Sequence, residues 1–204
     1  MLDVLWAGGP VMVPIALCSL IGLTTFIERM WSLRRSSVMP EALTREVHEL
    51  ARQKRWDDVL TRCRTFNAPV ARLTEAVIVH RNCSHVVLKE RVEEIGRREA
   101  AALERYLPIL GTVASVAPLL GLLGTVGGMI VTFQVIETQG VQDVSDLAGG
   151  ISQALITTFA GLCVGIPALV ANRYLLTRVD GYLLELEASA SGIMEHLDSE
   201  SAAS

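Results

Sequence analysis

The chain has few aromatic residues and long stretches without any charge. Phe, Trp and Tyr make up 5% of its 204 residues, whereas 50% of the residues are hydrophobic and the mean hydropathy is +0.40. Asp, Glu, Lys and Arg are absent from residues 4–27, 106–136 and 147–172. Each of these ranges is longer than the roughly 20 residues that a helix needs to cross a bilayer. The composition therefore excludes an ordinary soluble domain and indicates a membrane protein.

Other missing features exclude several classes of function. The net charge of −4 provides no basic surface for nucleic acid. His80, Cys83 and His85 form the only cluster that resembles metal ligands, and their spacing fits no zinc pattern, so we expect no metal site. The sequence also lacks a nucleophile elbow, a phosphate-binding loop and a His-Glu metal helix. We therefore expect no enzymatic activity and no cofactor.

The distribution of basic residues predicts the orientation in the membrane. Sixteen of the eighteen Lys and Arg residues lie between Arg29 and Arg105, which places that segment in the cytoplasm and the N-terminus in the periplasm. No basic residue precedes the first span, which is opposite to the polarity of a signal peptide, so we expect an uncleaved anchor. Trp6 and Trp31 flank this span as interfacial aromatic residues would.

The prediction is an all-α integral membrane protein. Its segments are transmembrane helix 1 (4–27), a cytoplasmic helical domain (28–105), transmembrane helix 2 (106–136), a periplasmic loop (137–146), transmembrane helix 3 (147–172), and a cytoplasmic C-terminal helix with a disordered tail (173–204).

The cytoplasmic segments are predicted to be helical. Between Pro40 and Pro69, apolar spacing broken around Trp56 predicts two short amphipathic helices. A charged helix over residues 86–105 is expected to continue without a break into span two, and span three is expected to continue inward to a disordered Ser-rich end at 199–204. The charges of residues 89–104 fit either a docking surface or, as we favour, a solvated helix face.

Small residues in spans two and three predict close contact between helices. Gly124 and Gly128 are four residues apart, as are Gly161 and Gly165, a spacing that lets two helix backbones approach each other. Pro118 and Pro167 each remove a helical hydrogen bond and predict kinks.

Gln153, Thr157 and Thr158 are polar residues inside the third span, where the medium offers no hydrogen-bond partner. At about 100° per residue, Thr157 lies about 40° from Gln153, and Thr158 lies about 140° from it. We expect Gln153 and Thr157 to share a face and Thr158 to face a different helix. The Thr157 hydroxyl could instead bond back to its own helix.

Two segments match a known pattern: Ala117-Pro-Leu-Leu-Gly-Leu-Leu-Gly-Thr-Val-Gly-Gly-Met in span two, and Gly150-Ile-Ser-Gln-Ala-Leu-Ile-Thr-Thr-Phe-Ala-Gly-Leu in span three, followed by Ile166-Pro-Ala. They closely resemble the MotA/TolQ/ExbB proton channel family, especially its ExbB-type members. Three spans with a long loop after the first are also similar to ExbB and TolQ.

The resemblance implies a homopentamer around a central lumen in the inner membrane, embedded in lipid. An ExbD/TolR-like single-span dimer would occupy the lumen and carry an aspartate for the ion step, and a TonB-like protein would be energised. Thr125 and Thr158 match the family's two pathway threonines, and Gln153 and Thr157 are added as candidate pathway residues. The cargo and the process energised stay open: ExbB-like transport, TolQ-like envelope maintenance or surface motility.

Gln153 departs from the family pattern, in which proton-driven members have a glutamate at this position. Two hypotheses follow: the partner's aspartate alone relays protons while Gln153 orients water, or amide and hydroxyl oxygens help to coordinate sodium. A pentameric scaffold that holds its partner without conducting ions is a further alternative. A self-sufficient carrier is disfavoured because the three spans show no repeated halves.

Overall fold

The computed structural model describes the backbone of residues 8–139 and 144–201 and the side chains of residues 8–138 and 148–197. All regular elements in these ranges are helices: α1 (Met12–Ser32), α2 (Arg35–Val38), α3 (Glu41–Arg52), α4 (Trp56–Arg64), α5 (Pro69–Val79), α6 (His85–Glu104), α7 (Leu107–Gln139) and α8 (Val144–Ser201). Three of them, α1, α7 and α8, are long and apolar enough to cross a membrane. The all-α class with three transmembrane helices is thereby confirmed.

The first span starts later than the sequence predicts. Helix α1 begins at Met12 and ends at Ser32, because the Gly8-Gly9-Pro10 segment forms a turn in which Gly9 has a φ of +72°, a value that favours glycine. Trp31 is exposed, whereas Trp6 lies outside the described residues. The loop between spans two and three is shorter than predicted, because α7 reaches Gln139 and α8 begins at Val144. Residues 140–143 lie outside the described ranges.

The chain divides into two compact units. The first comprises Met1–Arg29 and Tyr106–Leu175, and the second comprises Met30–Arg105 and Leu176–Ser204. The first unit contains the apolar parts of the three long helices and exposes large apolar side chains, including Leu20, Leu119, Phe133, Phe159 and Val170. An apolar surface of this extent is stable only when lipid or other protein covers it. We call the first unit the membrane unit.

The predicted continuity of the charged helix with span two is wrong. Helix α6 ends at Glu104 and α7 begins at Leu107, with Tyr106 at a φ of +71° between them. The reason is Pro108, which lacks an N–H and whose ring would clash with the carbonyl of Glu104 in a continuous helix. Within the membrane unit, the buried Arg29 guanidinium lies 5.1 Å from the centroid of the Tyr106 ring, a cation–π contact that holds the break in place.

The second unit is a helical domain with its own core. The predicted pair of amphipathic helices is confirmed as α3 and α4, separated at residues 53–55, where Lys54 has a φ of +58°. Helix α5 starts with Pro69 in its first turn, where a missing N–H is harmless. The core is formed by buried apolar side chains from these helices, among them Leu43, Val47, Val59, Val77 and Ile78.

The last part of α8 completes this core. Val179, Leu186 and Ile193 are buried, and the Tyr182 hydroxyl donates to the Leu33 carbonyl at 3.0 Å. The expected helical continuation of span three is thus confirmed. The expectation of disorder from residue 199 is wrong for residues 199–201, whose backbone belongs to α8, and residues 202–204 lie outside the described part of the chain.

Candidate functional site in the membrane unit

Helices α7 and α8 approach each other closely along a seam of small residues. A Cβ added at Gly161 would lie 2.6 Å from the Ala117 carbonyl oxygen, and one added at Gly121 would lie 3.0 Å from the Thr158 Cα. The predicted packing glycines lie on this seam: Gly124 against Thr157, Gly128 against Ala154, Gly161 against Ala117, and Gly165 against Pro118. Larger side chains at these positions would separate the two helices.

The two threonines that match the family pattern lie on one flank of the seam. The Thr158 hydroxyl donates to the Gly121 carbonyl of α7 at 3.0 Å, and the Thr125 hydroxyl donates to Leu122 of its own helix at 2.6 Å. Thr125 is one helical turn beyond Gly121, so it lies about 40° from it around α7. Both threonines are half-buried, which leaves this flank partly open.

Gln153 and Thr157 lie on the opposite flank, against the N-terminal turn. The Thr157 side chain is fully buried, and its hydroxyl oxygen lies 2.9 Å from the Gly8 carbonyl and 2.8 Å from the Gln153 carbonyl. Its single proton serves these two acceptors. The Gln153 amide packs against Gly9, with no room for a Cβ there. The four predicted pathway residues therefore form two separate pairs.

Thr158 was expected to face a different helix from Gln153 and Thr157, and for Thr157 this expectation is wrong. Thr157 fills the space left by Gly124, while Thr158 bonds to Gly121, and both glycines belong to α7. Adjacent residues of α8 can reach the same helix because the glycines let the two backbones come so close. The predicted shared face of Gln153 and Thr157 agrees with their common contact with the N-terminal turn.

Sequence reasoning missed one polar residue of the seam, Asn172. Its amide nitrogen lies 3.3 Å from where a Cβ would stand on Gly111 of α7. Its Oδ1 is buried and, among the described residues, is the one buried side-chain nitrogen or oxygen without a hydrogen-bond partner. Asn172 follows Gly165 by seven residues, and Gly165 follows Thr158 by seven. This heptad spacing could have identified it, because residues seven apart differ by only about 20° around a helix.

The sequence also singled out two groups of side chains in the second unit, the charges of α6 and the cluster of His80, Cys83 and His85. The charged residues of α6 pair with each other, with Arg98 to Glu94 at 2.7 Å and Arg91 to Glu94 at 3.0 Å, which fits a solvated helix face. No three His, Cys, Asp or Glu side chains of the described chain could hold a metal together. His80 instead contacts the Ala76 carbonyl through Nδ1, at 2.9 Å.

Two pKa values in this unit are shifted. Burial, and then the charge of Glu75, raise the pKa of the Cys63 thiol from 9.0 to about 11, because both disfavour the thiolate. The hydrogen bonds to Glu99 raise the pKa of the Arg72 guanidinium, with two N–O distances of 2.6 Å. Neither group lies in the membrane unit, so both shifts concern the stability of the second unit.

The fold and the seam define a multi-pass α-helical membrane protein with polar groups enclosed between two glycine-rich spans. The sequence profile of the MotA/TolQ/ExbB proton channel family matches residues 64–188. The chain belongs to this family, whose members are transport and channel subunits that work in complexes with partner proteins.

Individual relatives agree with this membership. The ExbB-like 1 biopolymer transport protein of Synechocystis sp. is 34% identical over 185 residues, which cover 87% of this chain and 71% of the relative. The biopolymer transport protein ExbB of Aquifex aeolicus is 41% identical over 86 residues, covering 42% of this chain and 58% of that protein. The Tol-Pal system protein TolQ of Haemophilus influenzae is 42% identical over 83 residues, covering 41% and 36%.

Proposed function

We propose that this chain is the subunit of an ion-driven motor in the bacterial inner membrane, with a periplasmic N-terminus and a cytoplasmic C-terminus. Five copies surround a lumen that holds an ExbD/TolR-like single-span dimer. Ion flow moves this partner, which passes the work to a TonB-like protein for transport at the outer membrane. The motor needs no organic cofactor, and the transported ion is a proton or sodium.

One observation carries the proposal: the Thr158 hydroxyl reaches across the seam to the Gly121 carbonyl, at 3.0 Å, one turn from Thr125. This contact places hydroxyl and carbonyl oxygens of two helices side by side in a medium that otherwise offers no polar group. Oxygens of this kind can replace the hydration of an ion or hold water that carries a proton. The half-buried Thr158 side chain is accessible to a partner helix.

The position of Gln153 supports different roles for this chain and its partner, with the titrating group on the partner. Its amide packs against Gly9 on the other flank of the seam, away from Thr125 and Thr158. An amide does not exchange a proton near neutral pH, so the titrating carboxylate of the motor belongs to the partner. One charge crossing 100 mV releases about 2.3 kcal/mol, so several ions supply enough energy for a mechanical step.

The test compares Thr158→Ala with Thr158→Ser in the complex co-expressed with its native partner. The serine variant keeps a hydroxyl, whereas the alanine variant removes it. We expect both variants to assemble like the wild type by native mass spectrometry, and only Thr158→Ala to lose ion-dependent work, by about tenfold or more. Equal activity of the alanine variant and the wild type would remove Thr158 from the pathway.

The same preparation tests the ion and the competing scaffold function. Work that persists in sodium-free medium and collapses with a protonophore assigns the proton, and the reverse pattern assigns sodium. A wild-type complex with its partner bound but without conductance in either ion would make the chain a scaffold. The outer domain of the co-purified partner, identified by peptide sequencing, distinguishes ExbB-like transport from TolQ-like envelope maintenance.

A further inference from the structure

The face of α1 that ends at Trp31 is apolar and exposed. Four large apolar side chains on it are between 52% and 68% exposed: Val13, Leu20, Ile27 and Trp31. At about 100° per residue, these positions fall within about 40° of one another around the helix. Thr24 lies on the same face, and its hydroxyl donates to the Leu20 carbonyl of its own helix at 2.8 Å. The face therefore offers no unsatisfied hydroxyl to hydrocarbon and suits contact with lipid.

The length of α1 predicts where Trp31 lies in a bilayer. Helix α1 begins at Met12, and at 1.5 Å per residue the distance from Met12 to Trp31 along the helix is about 29 Å. This distance nearly equals the hydrocarbon thickness of about 30 Å. A helix that begins at one edge of the hydrocarbon therefore has Trp31 at the other edge, where lipid head groups begin. Tryptophan is enriched at this boundary because its ring is apolar and its N–H is polar.

Arg34 places a positive charge beside this ring. Its guanidinium carbon lies over the Trp31 ring, 5.0 Å from the centroid. Among the described residues, no Asp or Glu side chain pairs with Arg34. A guanidinium that contacts an aromatic ring through its face keeps the N–H groups at its edge available for oxygen acceptors. Trp31 and Arg34 thus combine an apolar ring with a cation that can still bind an anion.

The neighbouring arginine differs from Arg34 in its partners. The Arg35 Nη1 donates to the Glu185 carboxylate at 3.1 Å, and Arg35 Nε lies 3.7 Å from a carboxylate oxygen of Glu41. The charge of Arg35 is therefore balanced within the second unit. Both side chains are exposed and carry the same charge, but only that of Arg34 is available to an anion from outside the chain.

We propose that Trp31 and Arg34 bind the head group of an anionic phospholipid. The Arg34 N–H groups donate to the phosphate oxygens, and the Trp31 ring packs against the glycerol and the first methylenes of the acyl chains. A phosphodiester is the anion that a bilayer presents at this depth, and its oxygens fit the fork of a guanidinium. A zwitterionic lipid binds less well because its cation repels Arg34. The inference goes beyond the proposed motor function, since it requires that α1 spans a bilayer but not that ions flow.

The first experiment measures lipid preference. The complex with its native partner is titrated in detergent with phosphatidylglycerol or with phosphatidylcholine of the same acyl chains, and bound lipids are counted by native mass spectrometry. We expect the wild type to bind phosphatidylglycerol more tightly and Arg34→Gln to lose about fivefold of this preference. Arg35→Gln removes the same charge one residue away and should keep the preference. An equal loss in both variants, or no loss in Arg34→Gln, would overturn the proposal.

The second experiment tests whether lipid or protein covers Trp31. The complex is placed in bilayers that contain a minor fraction of brominated phosphatidylglycerol or brominated phosphatidylcholine, because bromine quenches tryptophan fluorescence on contact. The difference in quenching between the wild type and Trp31→Phe gives the contribution of Trp31. We expect phosphatidylglycerol to quench this contribution more strongly, and Arg34→Gln to abolish the difference between the two lipids. A Trp31 that neither lipid quenches is covered by protein, and this result would exclude the lipid site.

Thermal unfolding in detergent checks that the variant is intact. Arg34 has no ion pair to lose, so the Tm of Arg34→Gln should stay within about 2 °C of the wild type. A much larger fall would show that a protein group binds Arg34, which contradicts the proposal. Both binding experiments are independent of ion flux. A complex that conducts no ions can therefore still confirm the lipid site, and a complex without the lipid site can still be a motor.

Discussion

The hydroxyl oxygen of Thr157 lies 2.9 Å from the carbonyl oxygen of Gly8, a residue 149 positions earlier in the chain. This bond joins the turn before the first span to the middle of the third. The Gln153 amide packs beside this bond, against Gly9. The Thr157 side chain is fully buried, so solvent does not reach its hydroxyl. Gln153 and Thr157 therefore connect the third span to the turn before the first span, whereas Thr158 bonds to α7.

Substitution of Gly9 should weaken the contact between this turn and the third span and so lower the stability of the protein. Gly9 has a φ of +72°, and a Cβ there would meet the Gln153 amide, so Gly9→Ala combines backbone strain with a clash. We expect a loss of about 2 kcal/mol, seen as a fall in Tm of about 4–8 °C. Gly127→Ala is the control, because nothing lies within 4 Å of its added Cβ; an equal fall in both variants would contradict the assigned contact.

A larger side chain at Gly161 should force α7 and α8 apart. The Cβ of Gly161→Ala would lie 2.6 Å from the Ala117 oxygen and 2.9 Å from the Gly121 Cα, and both neighbours are backbone atoms that cannot rotate away. We expect a cost of about 1–3 kcal/mol for alanine and failure of assembly for Gly161→Leu. Native mass spectrometry of the complex measures assembly, again with Gly127→Ala as the matched substitution. Normal assembly of Gly161→Leu would exclude close packing at this point.

The thiol of Cys63 should be protected from alkylation at moderate pH. Its pKa is raised from 9.0 to about 11 by burial and by Glu75, and its side chain is only 2% exposed. The folded state thus favours the thiol, so its contribution to stability is full below pH 9 and is lost as the pH rises toward 11. Iodoacetamide at pH 8 should modify the exposed Cys83 and spare Cys63 until the protein unfolds. Equal rates for the two thiols would refute the burial.

The ion pair between Arg72 and Glu99 should respond unequally to loss of either partner. The Glu99 side chain is 11% exposed and that of Arg72 is 42% exposed. Arg72→Met leaves a buried carboxylate without its main partner and is expected to cost about 1–3 kcal/mol. Glu99→Leu frees a guanidinium that can turn to water, so its cost should be smaller. Thermal unfolding of the two variants gives the comparison, and a larger loss for Glu99→Leu would reverse this interpretation.

The fold was predictable where one physical rule dominates. Charge-free ranges locate three membrane helices because a charge in hydrocarbon is so unfavourable, and apolar spacing locates α3 and α4. The break before α7 was missed because its cause, Pro108, is the third residue of the charge-free range, and the absence of charge by itself does not show where a helix is interrupted. The later start of α1 depends on Gly9, whose positive φ is a property of the folded turn that the apolar pattern does not reveal.

The residues of the candidate site were predictable from the sequence, but their contacts were predictable only in part. The motif residues and the packing glycines were identifiable from their spacing. Angles on a single helix do not reveal how closely a neighbour approaches, so the contact of both Thr157 and Thr158 with α7 was missed. The involvement of Gly8 and Gly9 is a contact between distant parts of the chain, which local patterns do not contain.

The polar contact between α7 and α8, from the Thr158 hydroxyl to the Gly121 carbonyl, carries dipoles but no fixed charge. If ions pass here as proposed, groups without a fixed charge bind a cation weakly and release it quickly. The contact itself keeps the same electrical character at every physiological pH. Under the proposed mechanism, the partner's carboxylate alone then determines when an ion is bound and when it is released. This chain provides polar contacts whose charge does not change during the cycle.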